Sequence, residues 1–536
     1  MAIPTVPPPT PRAALKGLLG RRYALSHERR LLHVDEDDLL AGFRRRPGRQ
    51  AWIGEHAGKF LHAASLVCTA TGDPRLREKI ERVRDGLIAT QEKDGYLGTY
   101  VRAKRFGTFE DADWDVWVHK YAILGLLADY ARFGTHASLD AAQRAADLLI
   151  RTFFRPGGRD LHAAGQHVGM AATSVLEPIV LLHRATGLKR YLEFAHFIVE
   201  NWKAPGGPDL LRALLARTPV HRIANAKAYE MLSNGVGLCE LFRETKEADF
   251  LKAALWLFED VAARRLYPTG GASAHERFQA DGVFPCGAAD EIAETCVTAT
   301  WIQLSAQLLG LTGEARFAEE IERASFNHLL GAQRPDGAAW CYYTPLEGVK
   351  PYRTDTNCCL SSGPRALALL PSVAVTIHPP DEIHVNSFTF SEAHAWIGNT
   401  CIRLALQGDW PYDGRIAIDV EPDDGRAAEF TLATRIPAST EARRPMATPD
   451  GPMPAIPGEY VRIRRTWRPG ERVALELALR EDPIDGARYG RPGEVALRRG
   501  PLVLAHEEGA EAPVEFAQAG GGGAAIRTWV KAPSGG

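Results

Sequence analysis

The stretch Trp117-Val118-His119-Lys120-Tyr121-Ala122-Ile123-Leu124-Gly125-Leu126-Leu127-Ala128-Asp129-Tyr130 decides the fold. Trp117, Tyr121, Leu124, Leu127 and Tyr130 recur in steps of three and four residues, the period of one helix face. The run breaks at Gly134-Thr135 before Leu139 opens the next amphipathic stretch. The same punctuation returns at Thr71-Gly72 before Leu76, Thr186-Gly187 before Tyr191, Thr245 before Phe250 and Thr312-Gly313 before Phe317. Intervals of roughly fifty to seventy residues hold two helices and their connections, so the repeating unit reads as a helical hairpin. Five or six hairpins close into an α/α toroid, whereas an open solenoid would keep a more regular interval. The irregular spacing puts long loops on one face of the ring, where a site would form.

Working outward, the helical period holds from about Gln50 to Pro371 and then gives way to alternation, as in Ala374-Val375-Thr376-Ile377-His378 and Tyr460-Val461-Arg462-Ile463-Arg464. Short strands are expected at Cys401 to Gln407, Arg415 to Val420, Glu429 to Arg435 and Val473 to Leu479, separated by Pro, Gly and Asp clusters, with a turn at Arg468-Pro469-Gly470-Glu471. The expected architecture is a multidomain α+β chain. An α/α barrel of the six-hairpin type covers 50–371 and a C-terminal β-sandwich covers 372–517. Residues 1–49 pack partly on the C-terminal part, and the Gly-rich tail 518–536 lacks fixed structure.

The 536 residues carry a net charge of −2, so the chain has no electrostatic footprint for nucleic acid. Met1 to Arg12 is proline-rich without an apolar signal core, and no run of about twenty apolar residues follows. Eight cysteines in a chain of this length do not form a disulfide scaffold. A cytoplasmic protein acting on a small or neutral ligand is expected, with no nucleic-acid or membrane partner and a homodimer left open.

Chemistry concentrates at five places. Adjacent Cys358 and Cys359 have Cα atoms about 3.8 Å apart, too close for an ordinary disulfide at roughly 4.4–6.8 Å, so metal binding or thiol chemistry becomes the leading question. Upstream, Glu294-Thr295-Cys296 offers a carboxylate and a third thiolate. Zn2+ fits Glu294, Cys296, Cys358 and Cys359, because sulfur and carboxylate oxygen are both normal zinc donors and three thiolates exclude calcium and magnesium. Buried cysteines also occur as small hydrophobes, and the residues alone leave both readings open. Cys68, Cys239 and Cys401, inside apolar stretches, read as core.

The other places are a Gly-Gly loop leading to Glu276, a candidate general acid/base; His119 in Trp114-Asp115-Val116-Trp117-Val118-His119-Lys120; His167 in Gly165-Gln166-His167-Val168-Gly169-Met170; and Trp340-Cys341-Tyr342-Tyr343-Thr344-Pro345-Leu346. Aromatic faces with a few polar tips suit sugar rings, which makes His119, His167 and Tyr342 candidate substrate contacts. A histidine at a helix start is also an ordinary packing or capping residue, and paired tyrosines are ordinary core.

In order along the chain, His119-Lys120, His167-x-Gly-Met, the Thr-Gly-Gly loop before Glu276, Glu294-Thr295-Cys296, Tyr342-x-x-Pro-Leu, Cys358-Cys359 and Arg499-Gly500-Pro501-Leu502-Val503 resemble glycoside hydrolase family 127, typified by β-L-arabinofuranosidase. The resemblance implies an α/α barrel followed by β-sandwich modules, zinc on Glu294, Cys296, Cys358 and Cys359, Cys358 as nucleophile and Glu276 as general acid/base. It further implies a retaining double displacement on an oligosaccharide or glycoside. The chain departs from the family in three places. Leu360-Ser361-Ser362-Gly363-Pro364 follows the cysteine pair where prolines are usual. Ile223-Ala224-Asn225 stands where a histidine-alanine-asparagine element is expected, and His167-Val168-Gly169 replaces His-Gly-Gly. These bear on the sugar contacts, so a different pentose, a deoxy sugar or an acidic sugar stays among the expectations. Competing readings are a catalytically silent carbohydrate-binding protein with a structural zinc, a lyase or unsaturated-sugar hydrolase on the same toroid, and a redox-active vicinal dithiol, which leaves Glu294 and Cys296 without a role.

Overall fold

A computed structural model describes residues 11–423 and 425–532. Six helices form a closed inner ring: Glu55–Thr71, Asp115–Phe133, Leu176–Thr186, Ala228–Thr245, Thr295–Thr312 and Cys358–Ala374, each touching the next and the last touching the first. Five outer helices, Pro74–Ile88, His136–Phe153, Lys189–Asn201, Ala248–Arg264 and Ala315–Arg323, each pack on the inner helix that precedes them. The sixth outer position belongs to Gly17–Arg29, which packs on Cys358–Ala374. The barrel therefore begins well before residue 50, and the N-terminal segment is shared between the two halves of the chain: the strand Arg12–Leu15 pairs antiparallel with Phe390–Ile397 of the β-rich region.

Inner helices are apolar nearly all round, as a fully enclosed helix must be; every residue from Ala228 to Leu241 is buried. Two of them approach closely where glycines face each other. A Cβ on Gly58 would lie 1.9 Å from the Tyr121 carbonyl oxygen, and one on Gly125 would lie 2.6 Å from the Gly58 carbonyl oxygen. The Thr/Gly punctuation has a structural cause. Gly72, Gly134, Gly187 and Gly313 are left-handed C-caps with φ of 69°, 71°, 68° and 67°, the conformation that ends helices and favours glycine. Thr71, Thr186, Thr245 and Thr312 each donate their hydroxyl to the carbonyl four residues back, closing the last turn. These caps all lie at one end of the ring and leave the helix N-termini at the other.

The β-rich region follows. One sheet has the order Arg12–Leu15, Phe390–Ile397, Thr400–Gln407, Arg415–Pro422, Glu471–Leu479, Thr440–Ala442; a second runs Tyr460–Trp467, Ala428–Arg435, Glu382–Val385, Val375–His378. The expected strands fall inside these, and the turn at Arg468-Pro469-Gly470-Glu471 carries the chain from the second sheet to the first. The expected unstructured tail is corrected. Gly520 and Gly523, at φ 73° and 91°, reverse the chain, after which Ala525–Arg527 pairs with Glu347–Val349 of the barrel loops and Trp529 is buried. Ile526 and Trp529 supply the apolar surface that makes docking favourable; residues 533–536 lie outside the described residues. No helix among the described residues is long and apolar enough to cross a membrane.

Candidate active site

Three successive inner helices point their N-termini at one place. Glu294 immediately precedes Thr295–Thr312, Cys358 opens Cys358–Ala374, and Lys227 immediately precedes Ala228–Thr245. The partial positive charge of a helix N-terminus favours thiolates and carboxylates there. One ligand atom from each of Glu294, Cys296, Cys358 and Cys359 lies within 4.8 Å of all the others. Cys296 Sγ is 3.4 Å from Cys359 Sγ, which is 3.8 Å from Cys358 Sγ. Asn357 caps the second helix by accepting from the Leu360 N–H at 3.1 Å. Gly363 lets that helix lie flat on the Trp340 ring, where a Cβ would come within 2.3 Å.

The donor set fits a thiolate-rich metal centre. Glu294 is buried and its Oε2 has no hydrogen-bond partner among the described residues, an arrangement that costs free energy unless a cation receives it. Burial pushes the Cys296 and Cys359 thiols and the Glu294 carboxyl well up. Hydrogen bonds from Cys296 and Cys359, with Lys59 behind them, hold the Cys358 thiol well below its usual value. Cys358 is thus the sulfur most ready to be a thiolate. Lys59 is fully buried, paired with Glu55 at 3.0 Å and seated over the Tyr121 and Tyr229 rings at 4.8 and 5.2 Å.

Glu276 comes from a different element. Ser273, His275 and Glu276 have φ of 78°, 46° and 64°, left-handed backbone that persists only when its surroundings over-determine it. The Ala228 N–H donates to the Glu276 carbonyl at 3.0 Å and the Phe278 N–H to the Ala226 carbonyl at 2.9 Å, tying this loop to the start of the 228–245 helix. The carboxylate accepts from Tyr342 OH at 2.6 Å, from Tyr343 OH at 3.1 Å and from Lys227 Nζ. Burial raises its pKa, but Lys227 and the hydrogen bonds outweigh that and leave it below the usual carboxylate value. Tyr342 also links the two halves of the site: its carbonyl accepts from the Thr295 N–H at 3.0 Å and lies 3.7 Å from Cys359 Sγ.

Two residue models of one family match this chain: the β-L-arabinofuranosidase GH127 catalytic domain over residues 36–372 and the GH127 middle domain over 382–479. The chain belongs to the GH127 family. This GH127 chain is accordingly a glycoside hydrolase. It is 22% identical over 503 residues to the non-reducing end β-L-arabinofuranosidase of Bifidobacterium longum subsp. longum, covering 84% of this chain and 74% of that protein. Its fold is similar to that of a GH127 β-L-arabinofuranosidase from Geobacillus stearothermophilus T6, with a TM-score of 0.81 at 20% identity over 97% of this chain and 99% of that one. It is also similar to a second GH127 β-arabinofuranosidase, with a TM-score of 0.82 at 19% identity over 98% and 97% of the two chains.

The remaining candidates of this GH127 chain divide. His167 lies at the same end of the barrel, its Nδ1 3.3 Å from Asn225 Nδ2 and its Nε2 3.9 Å from Glu230. Asn225 thus stays beside a histidine although the element around it departs from the family pattern. His119 is corrected as a substrate contact. It is fully buried between Tyr96 and Phe106, its Nδ1–H donates to the Asp115 carbonyl at 2.8 Å, and its Nε2 accepts from the Leu97 N–H at 3.2 Å. Both ring nitrogens are spent on backbone. Sequence reasoning missed Lys227 and Lys59. The only trace of Lys59 was a Glu55/Lys59 spacing of four, and Lys227 left none.

Proposed function

We propose that the protein is a retaining exo-acting hydrolase of β-linked L-arabinofuranosides, with zinc held by Glu294, Cys296, Cys358 and Cys359, Cys358 as nucleophile and Glu276 as acid/base. The observation that carries this reading is Tyr342, which ties the Glu276 carboxylate to the thiol cluster through its hydroxyl and its carbonyl. A silent binding protein has no use for an ionisable carboxylate held beside three thiols. Zinc held by Glu294, Cys296, Cys358 and Cys359 would keep the sulfurs as thiolates and would make the Cys358 sulfur a better leaving group.

In the first half-reaction the Cys358 sulfur forms a bond to the anomeric carbon, the glycosidic C–O bond breaks, and the Glu276 proton goes to the leaving oxygen. In the second, Glu276 takes a proton from water, the water oxygen bonds to the anomeric carbon, and the C–S bond breaks to return the Cys358 thiolate. Lys227 and the two tyrosine hydroxyls favour the carboxylate form that the second half needs. His167 and Asn225 face the same mouth and are proposed to meet sugar hydroxyls. The two larger sheets, whose inner residues Ile402, Leu404, Phe430 and Leu432 share one apolar core, read as the expected β-sandwich. Eight unpaired cysteines suit a reducing cytoplasm.

Nitrophenyl β-L-arabinofuranoside with reduced, zinc-loaded protein tests the reading. Expected is nitrophenol release that vanishes in Glu276→Ala, with NMR showing the sugar first released as the β anomer. No release from folded, zinc-containing protein rejects the substrate; first release of the α anomer rejects the double displacement.

A further inference from the structure

A second convergence of metal-ligating side chains lies in the β-rich region, away from the barrel. Along Phe390–Ile397 and Thr400–Gln407 the inward positions are buried Ala393, Ala395, Ile402 and Leu404. The alternate positions, Glu392, His394, Cys401 and Arg403, therefore face outward. Cys401, expected in the core from its apolar neighbours, is on the outer face. The register sets Arg403 opposite His394 and Trp396 opposite Cys401, which makes His394 and Cys401 diagonal neighbours. On the other side of Cys401 the Asp423 N–H donates to the Cys401 carbonyl at 2.9 Å, bringing Asp423 alongside from the turn that follows Arg415–Pro422.

One ligand atom from each of His394, Cys401 and Asp423 lies within 4.8 Å of the others, with Cys401 Sγ 3.7 Å from His394 Nδ1. The histidine is already oriented. Its Nε2 is 2.8 Å from a Glu392 carboxylate oxygen, and Glu392 is itself held by Arg403 at 3.1 Å. A carboxylate only accepts, so Nε2 carries the hydrogen and the Nδ1 lone pair is turned toward the sulfur. A carboxylate that fixes the far nitrogen of a histidine is the usual support of a metal-ligating imidazole.

We propose that His394 Nδ1, Cys401 Sγ and Asp423 form a second divalent metal site, selective for zinc, that ties two neighbouring strands to the turn after a third. One nitrogen, one sulfur and one oxygen donor suit zinc and not calcium or magnesium. Three protein ligands leave the fourth tetrahedral position to water. Binding releases the Cys401 thiol proton to solvent. The chain Cys401, His394, Glu392 also has the order of an activated thiol, but Asp423 on the other side of the sulfur opposes a bare thiolate, whereas a cation satisfies all three donors together. His394 and Cys401, carried on paired neighbouring strands, are held in fixed relation. With the His394 side chain 34% exposed, metal at this site exchanges faster than at the enclosed cluster in the barrel.

The test is zinc per chain, measured by elemental analysis after equilibration of the full-length protein with zinc chloride and gel filtration. The wild type is compared with His394→Ala, Cys401→Ser and the near-isosteric Asp423→Asn. Each variant is expected to hold one zinc fewer per chain than the wild type while arabinofuranoside hydrolysis is unchanged. Because the readout is a difference, it is independent of what the barrel site holds. Equal zinc content in the wild type and all three variants overturns the proposal.

Discussion

Lys227 Nζ is bonded directly to a Glu276 carboxylate oxygen, and the two residues are brought together from the start of an inner helix and from a left-handed loop. This pair lowers the pKa of Glu276, the proposed acid/base. In the proposed first half-reaction Glu276 must be protonated, so on that reading its pKa governs the alkaline limb of kcat/KM. Removing the cation leaves burial and the Cys358 charge, both of which raise that pKa. Lys227→Met is expected to move the alkaline limb upward by about one pH unit or more, since an opposite charge shifts a carboxyl by roughly 1–3 units. A pH–rate profile measures this, and an unmoved limb would show that Lys227 does not tune Glu276.

Cys358→Ala is expected to lower kcat by about 10⁴-fold or more, as loss of a nucleophile does elsewhere, while the circular dichroism spectrum and melting temperature stay near wild type. Retained turnover would remove Cys358 from its role.

Glu294 Oε2 is buried without a partner among the described residues, as the proposed metal-ligand role requires. Glu294→Ala and exhaustive chelation are both expected to abolish activity and to lower the melting temperature, because metal bound only by the native state adds to folding stability. Zinc is expected to restore chelated wild type and not the variant. Full activity after verified metal removal would contradict the reading.

His328 is fully buried, its Nε2–H donating to the Ala293 carbonyl at 2.9 Å, and burial lowers its pKa to about 4. The unfolded chain therefore binds the proton first as pH falls through the ordinary histidine value. Stability contributed by neutral His328 is present above pH of about 6.5 and is lost down to about 4, at no more than about 1.4 kcal/mol per pH unit. The midpoint of urea unfolding followed across this range should fall with pH, and more shallowly in His328→Gln. An equal slope in both proteins would count against it.

Gly58→Ala places a methyl group against the Tyr121 carbonyl. Two inner helices must then separate, and the expected loss is about 2 kcal/mol or more, read by chemical denaturation. An unchanged midpoint would mean that the ring is looser than its packing implies.

Much of the barrel was legible because its repeats are written in local chemistry. A glycine at a left-handed cap and a threonine closing the last turn depend on neighbours a few residues away, so Thr71-Gly72 and Thr312-Gly313 mark helix ends in the sequence itself. The alternating strands at Thr400–Gln407 and Arg415–Pro422 were readable for the same reason. Cys358-Cys359 and Glu294-x-Cys296 were conspicuous because their spacing suits no ordinary structural use. Position in space was not legible. His119 sits in the same helical stretch as Trp117, yet its ring turns into the wall and spends both nitrogens on backbone. Cys401 lies in an apolar run but falls on the outward phase of its strand. The glycine run after Gln518 reads as a flexible tail until the burial of Ile526 and Trp529 is known.

By itself, then, the sequence determined the kinds of elements, their order and the donor atoms available to a metal. The tertiary structure decided which of these atoms meet. Closing six helices into a ring brings the N-termini of 228–245, 295–312 and 358–374 together, and only there do Lys227, Glu276, Glu294 and the three thiols share one buried, low-dielectric place. Periodicity encodes which face of a helix is buried; it carries no information about the charge that burial will set beside it, and that charge governs which of these groups ionise.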